Sequence, residues 1–190
     1  MDAQSEAFQK TLQQFGRSIL FWFALVASLA FLFGLFNTGK KIVFCGAETI
    51  SSHLRRPVFR SGNTIITGGD LQSSEYAFEG EHSVKLTPEK QFGLSFEIPN
   101  LKGHEQITIS VWRYAKGEDA SPGIIVGNIK GQYWEDCPQV VEEKNGWQKV
   151  ECVLDPTFSC RGKDLSIYCW NRGIYPIYFD NMEVTIRKAY

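Results

Sequence analysis

The residues able to do chemistry in this 190-residue chain are few and scattered. Its three histidines, His53, His82 and His104, stand alone, and none has a second four residues away, the helical spacing that lets two imidazoles share a zinc ion. The chain has no C-x-x-C pair, no G-x-S-x-G turn and no glycine-rich phosphate loop. Glu118-Asp119, Glu135-Asp136 and Glu142-Glu143 are adjacent carboxylates in polar, turn-like stretches. Two carboxylates hydrolyse a glycoside by flanking the scissile bond, whereas neighbours in a loop are usually solvated charges. No nucleophile stands beside a base, so the sequence predicts no enzyme and no catalytic residues.

Aromatic side chains are the remaining means of recognition. Trp112, Tyr114, Tyr133, Trp134, Trp170, Tyr175 and Tyr178 are more than one core needs. Such rings stack on sugars, anchor protein partners or fill a core, and residue type leaves all three uses open. Trp147, in a Gly-Trp step, is expected inside. With 20 basic against 21 acidic residues, the chain has no net field to hold a phosphate backbone, which argues against nucleic acid as a partner.

Two kinds of element must position these groups. Residues 18–39 are 22 in a row without a charge, centred on Ile19–Phe36. That length and composition predict a membrane-spanning helix over 18–38, preceded by an amphipathic N-terminal segment at 1–17. A cleaved signal peptide fits poorly, because Ser28-Leu29-Ala30 lies inside the apolar run. A lipid on Cys45 fits poorly too, because Lys40 and Lys41 intervene. Ala27, Ala30 and Gly34 leave a strip of small residues on which another membrane helix can pack.

Residues 39–54 are read as a linker. From about residue 55 apolar residues alternate with polar ones. Phe92, Leu94, Phe96 and Ile98 form one such set; Ile107, Ile109 and Val111 a second; Val150, Cys152 and Leu154 a third; Leu165, Ile167 and Cys169 a fourth. Turn signals such as Lys102-Gly103, Asn145-Gly146 and Arg172-Gly173 separate them, which predicts an all-β sandwich over 55–190. Among the five cysteines, Cys152 and Cys169 fall in the apolar phase and read as buried thiols. Cys137 and Cys160 lie in loop-like contexts and could pair in an oxidising compartment, while Cys45 is left free or bridges to a partner.

Four strings carry a family resemblance: Ser73–Leu86 (SSEYAFEGEHSVKL), Ile107–Ala115, Gly146-Trp147-Gln148-Lys149-Val150, and Tyr178–Val184 (YFDNMEV). In that order they resemble the carbohydrate-binding-module-like jelly rolls of the galactose-binding-domain-like group, common in exported bacterial proteins. The opening "N-x-G-F-E" strand of that group is missing from Phe59–Asp70. The resemblance implies a jelly-roll β-sandwich of an exported kind, which sets the orientation of the single transmembrane helix read above: N-terminus cytoplasmic, sandwich periplasmic or extracellular. It also implies a structural calcium, carried over onto Asp180, Glu81 and Asp70, although Asp180 could equally bond a neighbouring loop backbone. The leading functional expectation is a non-catalytic accessory subunit that binds integral membrane protein partners in a cell-envelope complex. The alternative is a glycan-binding module displayed at the membrane surface.

Overall fold

The computed structural model describes residues 40–115 and 123–188. The expected anchor, with Ala27, Ala30 and Gly34, lies outside them. Among the described residues no helix is long and apolar enough to cross a membrane.

The described chain is a sandwich of two sheets. In chain order its strands are β1 (Lys41–Cys45), β2 (Ser51–His53), β3 (Arg56–Ser61), β4 (Thr64–Thr67), β5 (Gln72–Ser73), β6 (Ser83–Leu86) and β7 (Phe92–Ile98). They continue as β8 (Glu105–Ala115), β9 (Gly123–Ile129), β10 (Tyr133–Cys137), β11 (Val140–Lys144), β12 (Trp147–Leu154), β13 (Leu165–Asn171) and β14 (Ile177–Lys188). The first sheet runs β11-β12-β8-β14-β6-β5, with β1 also paired to β14; the second runs β10-β9-β13-β7-β4-β3-β2. Successive strands from β6 to β9, and again from β12 to β14, cross from one sheet to the other, consistent with jelly-roll winding. The segment read as a linker is therefore partly sheet: Val43 and Cys45 of β1 enter the core.

Alternation builds the core as the sequence suggests. Ile107, Ile109, Val111, Val150, Leu154, Leu165 and Ile167 all point between the sheets and are buried. One phase departs from the reading. Leu94 holds a left-handed φ of 47°, and the β7–β13 register slips there, since Ile167 faces Phe96 while Cys169 faces Gly93. This bulge turns Phe92 to the outside although Leu94, Phe96 and Ile98 stay inside. Gly93 leaves room beside the bulge for the Leu86 side chain, which a Cβ there would approach to 2.8 Å.

The disulfide also differs from the expected pair. Cys137 on β10 joins Cys152 on β12 across the two sheets, with Cα atoms 5.3 Å apart. Cys160, expected as the partner, is a buried free thiol in the turn Phe158–Cys160, packed on the core. The reason is geometric. Both Cys137 and Cys152 have the inward phase of their strands, and β10 and β12 meet at one edge of the sandwich. Cys45 and Cys169 are buried too, and burial pushes the Cys45 thiol up to about 11.

The bridge spans 15 residues, a separation at which loss of the link costs about 3 kcal/mol. The paired Cys137→Ser and Cys152→Ser variant should lower the urea midpoint accordingly, and reductant should then leave that variant unchanged. A wild-type midpoint indifferent to reductant would contradict the pairing.

Candidate functional site

Each sheet carries aromatic rings on its outer face, and the two faces have different fates. On the first sheet, Trp112 and Tyr114 of β8, Trp147 of β12 and Tyr178 of β14 form one cluster. The segment between β5 and β6 folds down over it. Phe78 stacks on Trp112 with centroids 4.0 Å apart and planes inclined by 13°, and Tyr76 lies 4.8 Å from Tyr114 and 4.9 Å from Tyr178. These rings serve as a second small core. Trp112 and Tyr114, expected to meet a ligand, are covered by their own chain.

Two carboxylates hold the cover in place. Asp180 is fully buried and accepts backbone N–H bonds from Phe78 (2.9 Å), Glu79 (3.2 Å) and Asn181 (2.7 Å). Glu48 accepts the N–H groups of Glu81 and His82 at 3.1 and 3.0 Å, and its other oxygen lies 3.3 Å from His82 Nδ1. The Tyr178 hydroxyl donates to Glu75 at 2.6 Å, and burial pushes that phenol up to about 12.

The expected calcium ligands do not act as a set here. Asp180 is engaged by three N–H donors, Glu81 contributes a backbone N–H to Glu48, and Asp70 pairs with Lys90 at 3.6 Å. Calcium takes six to eight oxygens, and among the described residues no three acidic, histidine or cysteine side chains gather to hold a metal. Asp180 thus fits the simpler expectation, a carboxylate bonding a neighbouring loop.

On the second sheet the rings stay open. Strand β10 sends Tyr133 and Cys137 inward, so Trp134 and Asp136 must point out. Strand β13 sends Leu165, Ile167 and Cys169 inward, so Tyr168 and Trp170 point out. The bulge adds Phe92, directly opposite Trp170 in the ladder. The four rings close a circuit: Trp134–Trp170 6.3 Å, Trp170–Phe92 5.7 Å, Phe92–Tyr168 5.6 Å and Tyr168–Trp134 6.5 Å between centroids. Ile124 and Val126 of β9, cross-strand from Trp170 and Tyr168, lie buried although they face outward. Trp134 and Phe92 remain 51% and 54% exposed.

Polar groups border the circuit. The Arg172 guanidinium sits 5.3 Å from the Trp170 ring centre and pairs with Asp136 at 3.0 Å. The Asn128 side chain bonds Tyr168, whose phenol burial shifts upward. Trp170 Nε1 is buried without an acceptor among the described residues. Of the aromatic residues singled out in the sequence, only Trp134 and Trp170 meet on this face. Tyr133 packs on the core, and Tyr175 is exposed in the turn before β14. Tyr168 was within reach of the sequence, two residues before Trp170 in the same phase; Phe92 was hidden by the bulge.

No family model matches the chain, and no curated protein matches it significantly. Solved structures resemble it at low identity. The CBM22-1 xylan-binding domain of Paenibacillus barcinonensis Xyn10C is 14% identical, over 79% of this chain and 97% of that one, with a TM-score of 0.46. The CBM35 of Cellvibrio japonicus Abf62 is 16% identical, over 79% of this chain and 99% of that one, at 0.44. The CBM22-1–GH10 modules of Clostridium thermocellum Xyn10B, complexed with xylohexaose, are 11% identical over 67% of this chain, at 0.45, and this chain spans a quarter of that protein.

One prediction follows from the cover. Burial pushes Asp180 up to about 6 against the pull of its three N–H donors. An unfolded aspartate releases its proton near 3.8, so the native state holds it more tightly. The contribution of this group to stability is then complete below 3.8 and falls as pH rises to about 6. Asp180→Asn, which cannot ionise, should lack that fall when urea midpoints are compared across the range. A wild-type midpoint that climbs relative to the variant would contradict the shift.

Proposed function

We propose that this chain is a non-catalytic glycan-binding module, and that it binds through the outer face of its second sheet. The observation that carries the reading is the open circuit of Trp134, Trp170, Tyr168 and Phe92. Its two half-exposed rings offer flat apolar surface to the C–H face of a sugar. The flanking Arg172–Asp136 pair offers planar donors and acceptors to its hydroxyls. This is the alternative of the sequence analysis rather than its leading expectation. A protein partner anchored on the same rings is the competing use of the face.

Two further features belong to the same proposal. The uncharged run at 18–39 supports a membrane tether over 18–38. The Cys137–Cys152 bridge supports a sandwich on the oxidising side of that membrane.

Isothermal titration of the full chain, held in a detergent without a sugar headgroup, against a panel of neutral oligosaccharides tests the reading. Binding should weaken at least tenfold in Trp134→Ala. Trp112→Ala should leave affinity unchanged while lowering stability by about 3–5 kcal/mol, as for a truncated core tryptophan. No binding across the panel at millimolar concentration, or a loss only in Trp112→Ala, would overturn it.

A further inference from the structure

The strand registers bring the start of β1 and four connections to one end of the sandwich. Lys41 of β1, Arg187 of β14 and Leu154 of β12 lie where β8 begins, and Leu165 of β13 lies beside Ile98 of β7. The turns at 62–63 and 130–132 and the connections 99–104 and 155–164 therefore close this end. Two of them are tied together, since the Leu101 N–H donates to the Lys163 carbonyl and the Gly162 N–H to the Leu101 carbonyl. This end is basic. Lys41, Lys102, Lys130, Arg161, Lys163 and Arg187 are all exposed there, and the ion pairs among the described residues lie elsewhere. Of the nearby acids, Glu105 is buried and accepts the N–H groups of Lys102, Gly103 and His104, and Asp164 accepts that of Asn100. Asp155 and Glu97 are exposed close by, so positive charge prevails. The formal net charge of −1 for the whole chain conceals this.

The same end holds an aromatic ring out to solvent. Phe158 opens the turn Phe158–Cys160 and is 67% exposed. The turn is firmly fixed. Cys160 is buried in the core beneath it, and the N–H groups of Cys160, Arg161 and Lys163 donate to the carbonyls of Thr157, Phe158 and Cys160. The β7–β8 connection packs against its side, where a Cβ on Gly103 would meet the Phe158 Cα at 3.1 Å. A single exposed ring is ordinary on a protein surface. What distinguishes this one is its company: the Arg161 guanidinium lies 5.6 Å from the ring centre, and Lys102 and Lys163 stand on the two connections joined beside it.

We propose that this end docks on the surface of an anionic lipid bilayer, its lysines and arginines against the headgroup phosphates and Phe158 at the boundary with the acyl chains. The inference rests on the membrane tether proposed above. That span ends at residue 38, three residue steps before Lys41, which an extended chain covers in about 10 Å. A charged bilayer surface attracts basic side chains within a Debye length, also about 10 Å at ordinary salt. An acidic protein would meet the same charge, but the tether holds a bilayer within reach of this end in every copy. An aromatic ring gains apolar contact at the headgroup level while the cations beside it stay with the phosphates. Docked end-on, the sandwich keeps the outer face of its second sheet clear of lipid, with Trp134 and Phe92 open to a glycan.

The test places the full chain carrying Phe158→Trp, beside the wild type, in nanodiscs whose phosphatidylcholine has brominated acyl chains. Bromine quenches an indole by close contact, and the difference from the wild type isolates position 158. Discs of one part phosphatidylglycerol to three of phosphatidylcholine should quench the added indole at least threefold more than discs of phosphatidylcholine alone. Molar salt should abolish that difference. The paired Lys102→Glu and Lys163→Glu variant should remove it too. The paired Arg55→Glu and Arg56→Glu variant, at the opposite end where β2 turns into β3, should leave it in place. An added indole unquenched in both discs would overturn lipid as the partner, in favour of an acidic macromolecule, and leave the tether intact. Equal quenching in both discs would overturn the role of charge. A difference that survives Lys102→Glu with Lys163→Glu would overturn the assignment to this end. Release of the wild type from vesicles by alkaline carbonate would overturn the docking together with the tether beneath it.

Discussion

A strand sends neighbouring side chains to opposite faces, and nearly everything about this sandwich depends on that constraint. Because Cys137 must face inward to meet Cys152, its neighbour Asp136 and the ring of Trp134 face outward. Because Leu165, Ile167 and Cys169 fill the core, Tyr168 and Trp170 cannot. The core and the aromatic outer face are two readings of the same strands, so a slip of one residue would exchange them. Where the protein needs an exception, it uses a bulge. Leu94 turns Phe92 outward, and a second bulge, at Asn181 (φ 47°), separates Asp180 from the inward-facing Met182.

The two outer faces show how aromatic surface can be committed or withheld. Both sheets carry tryptophan and tyrosine in the outward phase, but among the described residues a long connection folds across the first alone. Phe78 and Tyr76 complete that cluster, and the Asp180 and Glu48 carboxylates fix the cover through four backbone N–H groups of residues 78–82. The interactions are charge-assisted and in part fully buried, which makes the cover part of the fold. On the second sheet the rings lie over Ile124 and Val126, and among the described residues Trp134 and Phe92 stay about half exposed. Among the described residues, what separates a covered tryptophan from an open one is the loop above it.

That difference explains what could be seen in the sequence. The sandwich was legible because its strands repeat with period two over long runs, and the inward sets at β8, β12 and β13 were read in the right phase. Trp170 was legible for the same reason, whereas Trp134 was singled out by residue type alone, with no strand read around it. Trp112 and Tyr114 have an equally good outward phase, and only the path of residues 74–82, a long-range contact, hides them. Phe92 was assigned to the core because a bulge breaks the alternation without a strong mark in sequence. Cys160 was paired with Cys137 by loop context, whereas the true partner was decided by which strands meet at the edge. Residues 41–53 were read as linker because their strands are short and pair with distant ones, β1 with β14, the last strand of the chain.

The central claim is that the second sheet's rings, and not the first's, meet the ligand. Each tryptophan indole N–H gives its own signal in a proton–nitrogen correlation spectrum, and the chain has five tryptophans. Titration with a bound oligosaccharide should move the Trp134 and Trp170 signals progressively and leave those of Trp112 and Trp147 in place. Shifts confined to Trp112 and Trp147, with Trp134 and Trp170 unmoved, would contradict the account.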